Sequence, residues 1–461
     1  MPEYDLVVIG SGAAGGTAAT TAVHLGAAKV AIVEQGPLWG TCINTGCIPS
    51  KFLLTLADYH YYKNYGHSGI AIDSKFNLYL ALAEKAAVID QLRQKKNNHF
   101  FTRLGIELIE GSAEFASPGV LRVGSREVTA SRFIIATGSA PTIPPLKGID
   151  SVPFMTNVEG LNPEHIPESL VVIGGRALGL EFAQLYAHLG TKVTVLQRST
   201  RILPDDEPEI ADLMTGFLRK EEIDIRTGVE IRNMEKSGNA VTVHAVIGGK
   251  EEAFSAERLM LAAGRSPNSA ALHLERAGVT TGRNGAVIVD KTLQTTAPGI
   301  WAAGDVTGEP MLETAARYGG EVAASNAFSE LKRSFDRSYI PHGIFTTPQV
   351  AGVGLTEDQA RRAGMQVITR STPMDTMAKS VIMGDTRGMI KIIADKTTGC
   401  VIGMHICSPL ATEIIQMGVL AVTHHMTVED LATCYHIFPN TGEVISVCAR
   451  SFRHEAGKGL F

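Results

Sequence analysis

The chain has no apolar run approaching the roughly 18 residues of a membrane span, and no basic stretch precedes its first apolar segment. Neither a transmembrane protein nor a secretory leader is expected. Neither charge sign is in marked excess. The 42 Lys+Arg and 47 Asp+Glu leave a formal net charge of −5, which offers no general attraction to nucleic acid or to an anionic membrane. Cysteine is scarce: Cys42, Cys47, Cys400, Cys407, Cys434 and Cys448 are spread over 461 residues. That is no disulfide scaffold, and it fits a cytoplasmic protein with at most one special cysteine pair. The 44% hydrophobic and 19% charged residues, in a length too great for one ordinary core, describe a globular protein of two to four domains.

The first segment, "YDLVVIGSGAAGGTAATTAVHLGAAKVAIVEQG", reads strand, glycine turn, helix, strand. Gly10 makes the tight turn, Gly12 lets the backbone approach a pyrophosphate, and Gly15 lets helix and strand pack closely. The helix N-terminus supplies N–H groups and partial positive charge for that phosphate. Glu34, 24 residues after Gly10, can accept hydrogen bonds from ribose hydroxyls. "IIATGSAP", with Thr137 and Gly138, and "APGIWAAGDVTG", with Asp305, each carry a strand into another glycine turn. Asp305 is placed to bond a ribityl hydroxyl.

A second unit of the same kind is "SLVVIGGRALGLEFAQLYAHLGTKVTVLQRSTRIL". Gly174 and Gly179 take the outer glycine positions, and Arg176 stands where the middle glycine belongs. Gln197 replaces the ribose-binding acid, followed by Arg198 and Arg201. Losing the carboxylate removes repulsion of a 2′-phosphate, and arginines bind phosphate bidentately, so NADPH is expected over NADH. The unit lies between "ATGSAP" and "AAGDV". The FAD region is therefore discontinuous, 1–148 with 276–340, around an NAD(P)H unit at 149–275, which leaves 341–461 as a separate C-terminal part.

"GTCINTGCIPSK" places Cys42 and Cys47 five residues apart. In a regular helix their Cα atoms would lie roughly 8.6 Å apart, beyond the limit of about 7 Å for a disulfide. Bridging needs a distorted turn, which Gly46 and Pro49 provide. A zinc site would want further ligands nearby, and a purely structural disulfide does not suit a reducing compartment. A redox pair beside a flavin accounts for the spacing and for both nucleotide folds.

"GTCINTGCIPSK", "ATGS", "AAGRSPN" and "AAGDVTG" together resemble the flavoprotein disulfide reductases, a family that includes glutathione reductase, dihydrolipoamide dehydrogenase and mercuric reductase. The resemblance runs over essentially the whole chain. It implies an α/β fold of two Rossmann-like nucleotide-binding domains, for FAD and NADPH, plus an α+β C-terminal dimerisation domain in a homodimer. It implies that Cys47 lies against the flavin and Cys42 meets the substrate. Lys51 lies near flavin N5, paired with Glu181, where a cation favours the reduced state. Gly40, Thr41, Gly264 and Arg265 join the cofactor-binding set. The usual gating tyrosine over the flavin is replaced by Ala177.

The C-terminal "CYHIFPNTGEV" departs from the "HPTxxE" of thiol-exchanging members. There, a histidine oriented by glutamate moves protons for the thiols. Here, Phe438 holds the histidine position, while Pro439 and Glu443 remain and His436 takes an earlier, non-catalytic position. Mercuric reductases resemble this chain in carrying "FP". Reducing a bound metal ion at Cys42 and Cys47 needs no such acid, so Hg(II), or a related soft metal or electrophile, is the expected substrate. No vicinal cysteine pair follows Cys448, and Cys434 and Cys448 are candidate replacement metal ligands. His405 and Cys407 are expected to be structural. Two alternatives are a dihydrolipoamide dehydrogenase-like enzyme acting on a lipoyl-carrying protein through His436, and a flavoprotein that binds metal thiolates or senses redox state without turnover.

Overall fold

The computed structural model describes residues 2–62, 73–95, 99–308 and 310–455. The helices that matter for the site are α1 (Ala13–His24), α2 (Gly40–Asn44), α3 (Cys47–Tyr61), α4 (Leu78–Lys95), α5 (Ala177–His188), α6 (Pro208–Lys220), α7 (Glu313–Phe328) and α8 (Glu443–Ser451). The chain divides into two compact units. The first comprises Met1–Ser50, Leu82–Thr142 and Gly264–Arg337, and the second Lys51–Ala81, Ile143–Ala263 and Ser338–Phe461.

The first unit is built on a parallel sheet whose strand order is Ile300–Ala302, Phe133–Ile135, Leu6–Ile9, Val30–Glu34, Ile106–Glu110. Its inner strands are continuous apolar runs because a parallel sheet is covered on both faces. Leu6–Ile9 is buried at every position. Small residues let the covering helices come close. A Cβ on Gly320 of α7 would lie 2.1 Å from the Ala14 carbonyl oxygen of α1, so only glycine permits that approach. Glu34 and the turns at Gly10, Gly138 and Gly304 all fall at the carboxyl ends of their strands, where open α/β sheets bind ligands.

The second unit contains another parallel sheet, ordered Asp224–Thr227, Lys192–Gln197, Ser169–Ile173, Arg258–Leu261. It also holds an antiparallel ribbon over 229–256. Its C-terminal part is an antiparallel sheet of His342–Ile344, Gln349–Gly354, Val401–Ser408, Met389–Asp395 and Val367–Pro373. Helix α6 starts at Pro208 and buries Ile210, Ala211, Met214 and Leu218, a single helical face. Met214 meets the sheet at Cys407, sulfur to sulfur at 3.6 Å. Beside it Lys391 is buried, yet its ammonium is surrounded by Glu207, Glu209 and Glu357, each at 2.8 Å. A buried charge needs that pairing. The class is α/β with two nucleotide-type sheets and an α+β C-terminal part, as expected. Among the described residues no helix is long and apolar enough to cross a membrane.

Candidate active site

Cys42 lies in the short helix α2 and Cys47 opens α3, so the five-residue spacing is broken by a turn. Gly46 makes that turn. A Cβ there would stand 2.9 Å from the Thr41 carbonyl oxygen and 3.2 Å from Cys42 Cα. Asn44 ties the turn down by donating to the carbonyls of Leu38 (2.9 Å) and Gly40 (2.7 Å), while Arg93 of α4 donates to its side-chain oxygen. Both cysteines are half-buried thiols. A hydrogen bond to Cys47 pushes the Cys42 pKa far above the ordinary thiol range. Burial, the charge of Cys47 and the Glu313 carboxylate at the start of α7 add to this. One proton is thereby held on Cys42. Sequence reasoning missed Glu313 and Arg93, which are far from the pair along the chain, and gave no role to Asn44, although it lies between the two cysteines.

Trp39 and Gly40, which precede the pair, both adopt the left-handed conformation, at φ 77° and 64°. Trp39 is held there by stacking on Phe101 at 4.6 Å. A Cβ on Gly40 would lie 2.8 Å from Gly12 Cα, so the redox segment starts against the first glycine turn.

That turn fits a dinucleotide. Cβ atoms on Gly10 and Gly15 would lie 2.4 Å from the Ala136 oxygen and 1.8 Å from the Gly10 oxygen, so neither of these two positions admits a side chain. Gly12 is the N-cap of α1. Glu34 accepts from the Ser11 amide (2.8 Å), the Ser11 hydroxyl (2.7 Å) and the Gly36 amide (3.0 Å), which fixes its carboxylate beside the turn. Thr137 donates to the Asn268 carbonyl at 2.6 Å, and Gly138 has φ 70°. Asp305 accepts from Ser139 Oγ at 2.6 Å, and Ser139 Oγ in turn accepts from Arg265 Nε at 2.7 Å. Thr142 donates to the Gly264 carbonyl at 2.9 Å. Thr41 is exposed in α2. These residues would hold FAD.

The second unit repeats the turn. Cβ atoms on Gly174 and Gly179 would lie 2.3 Å from the Ala262 oxygen and 1.9 Å from the Gly174 oxygen. Gln197 is buried and accepts from the Gly175 amide at 2.8 Å, doing for this turn what Glu34 does for the first. Its side chain therefore faces the turn, and Arg198 beyond it is exposed. Arg201 donates to the Pro204 carbonyl at 3.2 Å and keeps a buried Nε–H without a hydrogen-bond acceptor among the described residues. Arg176, at the N-cap of α5, is exposed and paired with Asp205.

Lys51 stands one turn after Cys47 on α3. Its ammonium is 2.7 Å from Glu181 and 4.5 Å from the centre of the Phe345 ring. Glu181 also accepts from the Phe345 amide at 2.9 Å. The expected pair is thus formed, with Phe345 an unforeseen third member. Ala177 is the first residue of α5.

At the C-terminus, Tyr435, Ile437 and Phe438 are exposed, Phe438 at 72%. His436 instead turns to its own chain, with Nε2 2.6 Å from Ser446 Oγ, which itself donates to the Leu431 carbonyl. Glu443 opens α8, and its carboxylate has no partner among the described residues. Cys434 is half-buried with its thiol on the Asp430 carbonyl (3.4 Å). The expectation that Cys448 serves as a metal relay does not hold. It is fully buried against the C-terminal sheet, its thiol sits on the Arg370 carbonyl at 3.4 Å, and burial pushes its pKa up to about 11. A ligand that passes on metal must be reachable and readily ionised. His405 and Cys407 are buried within the fold, as expected of structural residues.

Two glycine cradles, each with a polar side chain at the end of its second strand, and a thiol pair beside the first define a two-nucleotide redox protein. The pyridine nucleotide-disulphide oxidoreductase model matches residues 4–320, and the dimerisation domain of the same family matches residues 340–448. The chain belongs to that family and is an FAD-dependent, NAD(P)H-linked oxidoreductase. It is 34% identical to a mercuric reductase of Staphylococcus aureus, over 99% of this chain and 84% of that protein. It is 36% identical to a dihydrolipoyl dehydrogenase of Thermus scotoductus, over 99% of both. Among solved structures, the Cu(II) complex of the HOCl-induced flavoprotein disulfide reductase RclA from Escherichia coli matches with a TM-score of 0.87 and 31% identity. That match covers 98% of this chain and 100% of that one.

Proposed function

We propose that the protein is an NADPH-dependent reductase of thiophilic metal ions, working at Cys42 and Cys47 as a cytoplasmic homodimer. FAD, when bound, relays two electrons from NADPH to the cysteine pair. Two electrons and one proton open the disulfide, leaving a thiol on Cys42 and a thiolate on Cys47. The hydrogen bond between the two sulfurs and the Glu313 carboxylate keep that proton on Cys42. A soft metal ion displaces it to solvent and is bound by both sulfurs; re-forming the Cys42–Cys47 disulfide then gives up two electrons, which reduce one Hg(II) to Hg(0) or two Cu(II) to two Cu(I). Cu(II) enters because the Escherichia coli relative has been solved as a Cu(II) complex, and Hg(II) because of the mercuric reductase relatives.

The observation that carries this reading is the pair Phe438 and His436. The residue presented outward at the acid–base position is a phenyl ring, and the neighbouring imidazole is committed to Ser446. Thiol exchange needs a proton for its leaving sulfur, and metal reduction does not. Tyr435, Ile437 and Phe438 are exposed in a chain that carries the family's dimerisation domain, which supports a second copy covering them. The test is steady-state NADPH oxidation with Hg(II)–thiol and Cu(II)–thiol complexes beside lipoamide and glutathione disulfide. Faster turnover of lipoamide than of either metal would overturn the proposal.

A further inference from the structure

Helices α3 and α5 are joined by two ion pairs. Lys51 of α3 meets Glu181 of α5 at 2.7 Å, and Asp58 of α3 meets His188 of α5 at 3.1 Å. Asp58 follows Lys51 by seven residues and His188 follows Glu181 by seven, so the two contacts lie two turns apart on both helices, about 10.5 Å along each axis. The polarity is reversed between them: cation to anion at one end, anion to imidazole at the other.

Further hydrogen bonds tie the seam between the contacts. Gln184, also on α5, accepts from the Thr347 amide at 2.6 Å and donates to the Thr347 carbonyl at 2.8 Å. The Thr347 hydroxyl donates to Asp58 at 2.8 Å. The second ring nitrogen of His188 lies 3.2 Å from Glu221, and the Tyr61 ring stacks on the imidazole at 3.9 Å. Behind these, Arg387 binds Glu221 at 3.2 Å and Asp385 at 2.7 Å, and the Tyr62 hydroxyl donates to Asp385 at 3.4 Å. Glu181, Gln184, His188 and Thr347 are all buried.

We propose that protonated His188, clamped between Asp58 and Glu221, is a positioning residue that fixes the register of α3 on α5 and so holds Lys51 against Glu181. With carboxylates on both nitrogens, an imidazolium donates to two anions, whereas a neutral ring donates to only one and leaves the other to Thr347 (for Asp58) or to Gln184 and Arg387 (for Glu221). Burial alone lowers the His188 pKa, and the bonds to Asp58 and Glu221 reverse this and hold it above the ordinary histidine value. The proposal rests on the assignment of Lys51 as the cation beside the flavin. No short motif marks His188, and its partners come from α3 and from the residue that follows α6.

The readout is the midpoint potential of the bound flavin, measured by anaerobic dye titration of the holoenzyme between about pH 6 and pH 9, a span bracketing the ordinary histidine pKa. A cation at the flavin stabilises the reduced state, so Lys51→Met should lower the potential. His188→Gln should lower it at the acid end and remove any bend in its pH dependence. Asp58→Asn should lower it from the opposite side of the clamp, and it keeps the test open if His188→Gln does not fold. The Lys51→Met/His188→Gln double variant should be no lower than Lys51→Met alone, because the second change acts through the first. A lowered potential in Lys51→Met with unchanged potentials in His188→Gln and Asp58→Asn overturns the positioning role alone. An unchanged potential in Lys51→Met overturns the Lys51 assignment and the positioning role with it.

Discussion

Gln197 accepts a 2.8 Å hydrogen bond from the Gly175 amide, the same service that Glu34 performs for Ser11 at 2.8 Å in the other nucleotide turn. The glutamine keeps the turn bonded without placing a negative charge beside the ribose. Arg198 stays exposed next to it. NADPH should therefore exceed NADH in kcat/KM by at least tenfold, the worth of a charge-assisted phosphate contact of about 1.5–3 kcal/mol. Gln197→Glu with Arg198→Ala retains the amide bond, restores the carboxylate and removes the cation, so preference should move towards NADH. Equal use of the two nucleotides by the unmodified enzyme would refute this.

Reduction of the holoenzyme should take two electrons beyond those of the flavin, because Cys42 and Cys47 face each other across the Gly46 turn. Anaerobic dithionite titration counts them. Cys42→Ser and Cys47→Ser should each lose the extra two. Gly46→Ala pushes a methyl group to within 2.9 Å of the Thr41 oxygen. It should cost about 1–3 kcal/mol of stability and slow disulfide closure.

Glu313 adds to the upward push on Cys42. In the reduced enzyme, Glu313→Gln should lower the Cys42 pKa, so that its alkylation by iodoacetamide accelerates at a fixed pH below the original value. Mass spectrometry of the labelled peptide follows the rate against pH. A profile that does not move, or moves to higher pH, would remove Glu313 from the site.

Phe438→His places an imidazole five residues before Glu443, whose carboxylate has no partner among the described residues. Lipoamide reduction should rise, up to the roughly 10²–10⁴ that a positioned acid supplies. Hg(II) reduction should not rise with it. His436→Gln should leave metal turnover unchanged, since His436 is spent on Ser446. If the unmodified enzyme reduces lipoamide at rates typical of efficient enzymes, His436 or another group is the acid and Phe438 is no obstacle.

Much of this was legible in the residues alone. The strand–glycine–helix segments at Gly10 and Gly174 had to form these turns, because any Cβ at Gly10, Gly15, Gly174 or Gly179 collides with backbone in the turn or the neighbouring strand. The apolar runs beside the glycine turns marked the inner strands of both parallel sheets, but not Ile106–Glu110, Asp224–Thr227 or Arg258–Leu261, which complete them. The Cys42–Cys47 spacing required the broken helix that Gly46 provides. What the sequence could not decide were relations across long separations. Whether Gln197 faces the phosphate or its own turn depends on a rotamer set by the Gly175 amide. Whether Cys448 is a ligand or a core residue depends on the sheet that buries it. The clamp on His188 joins residues 130 and 33 positions away. Local patterns encode local geometry. Which distant charges meet is decided only when packing brings their helices together and burial makes an unpaired charge too costly to leave.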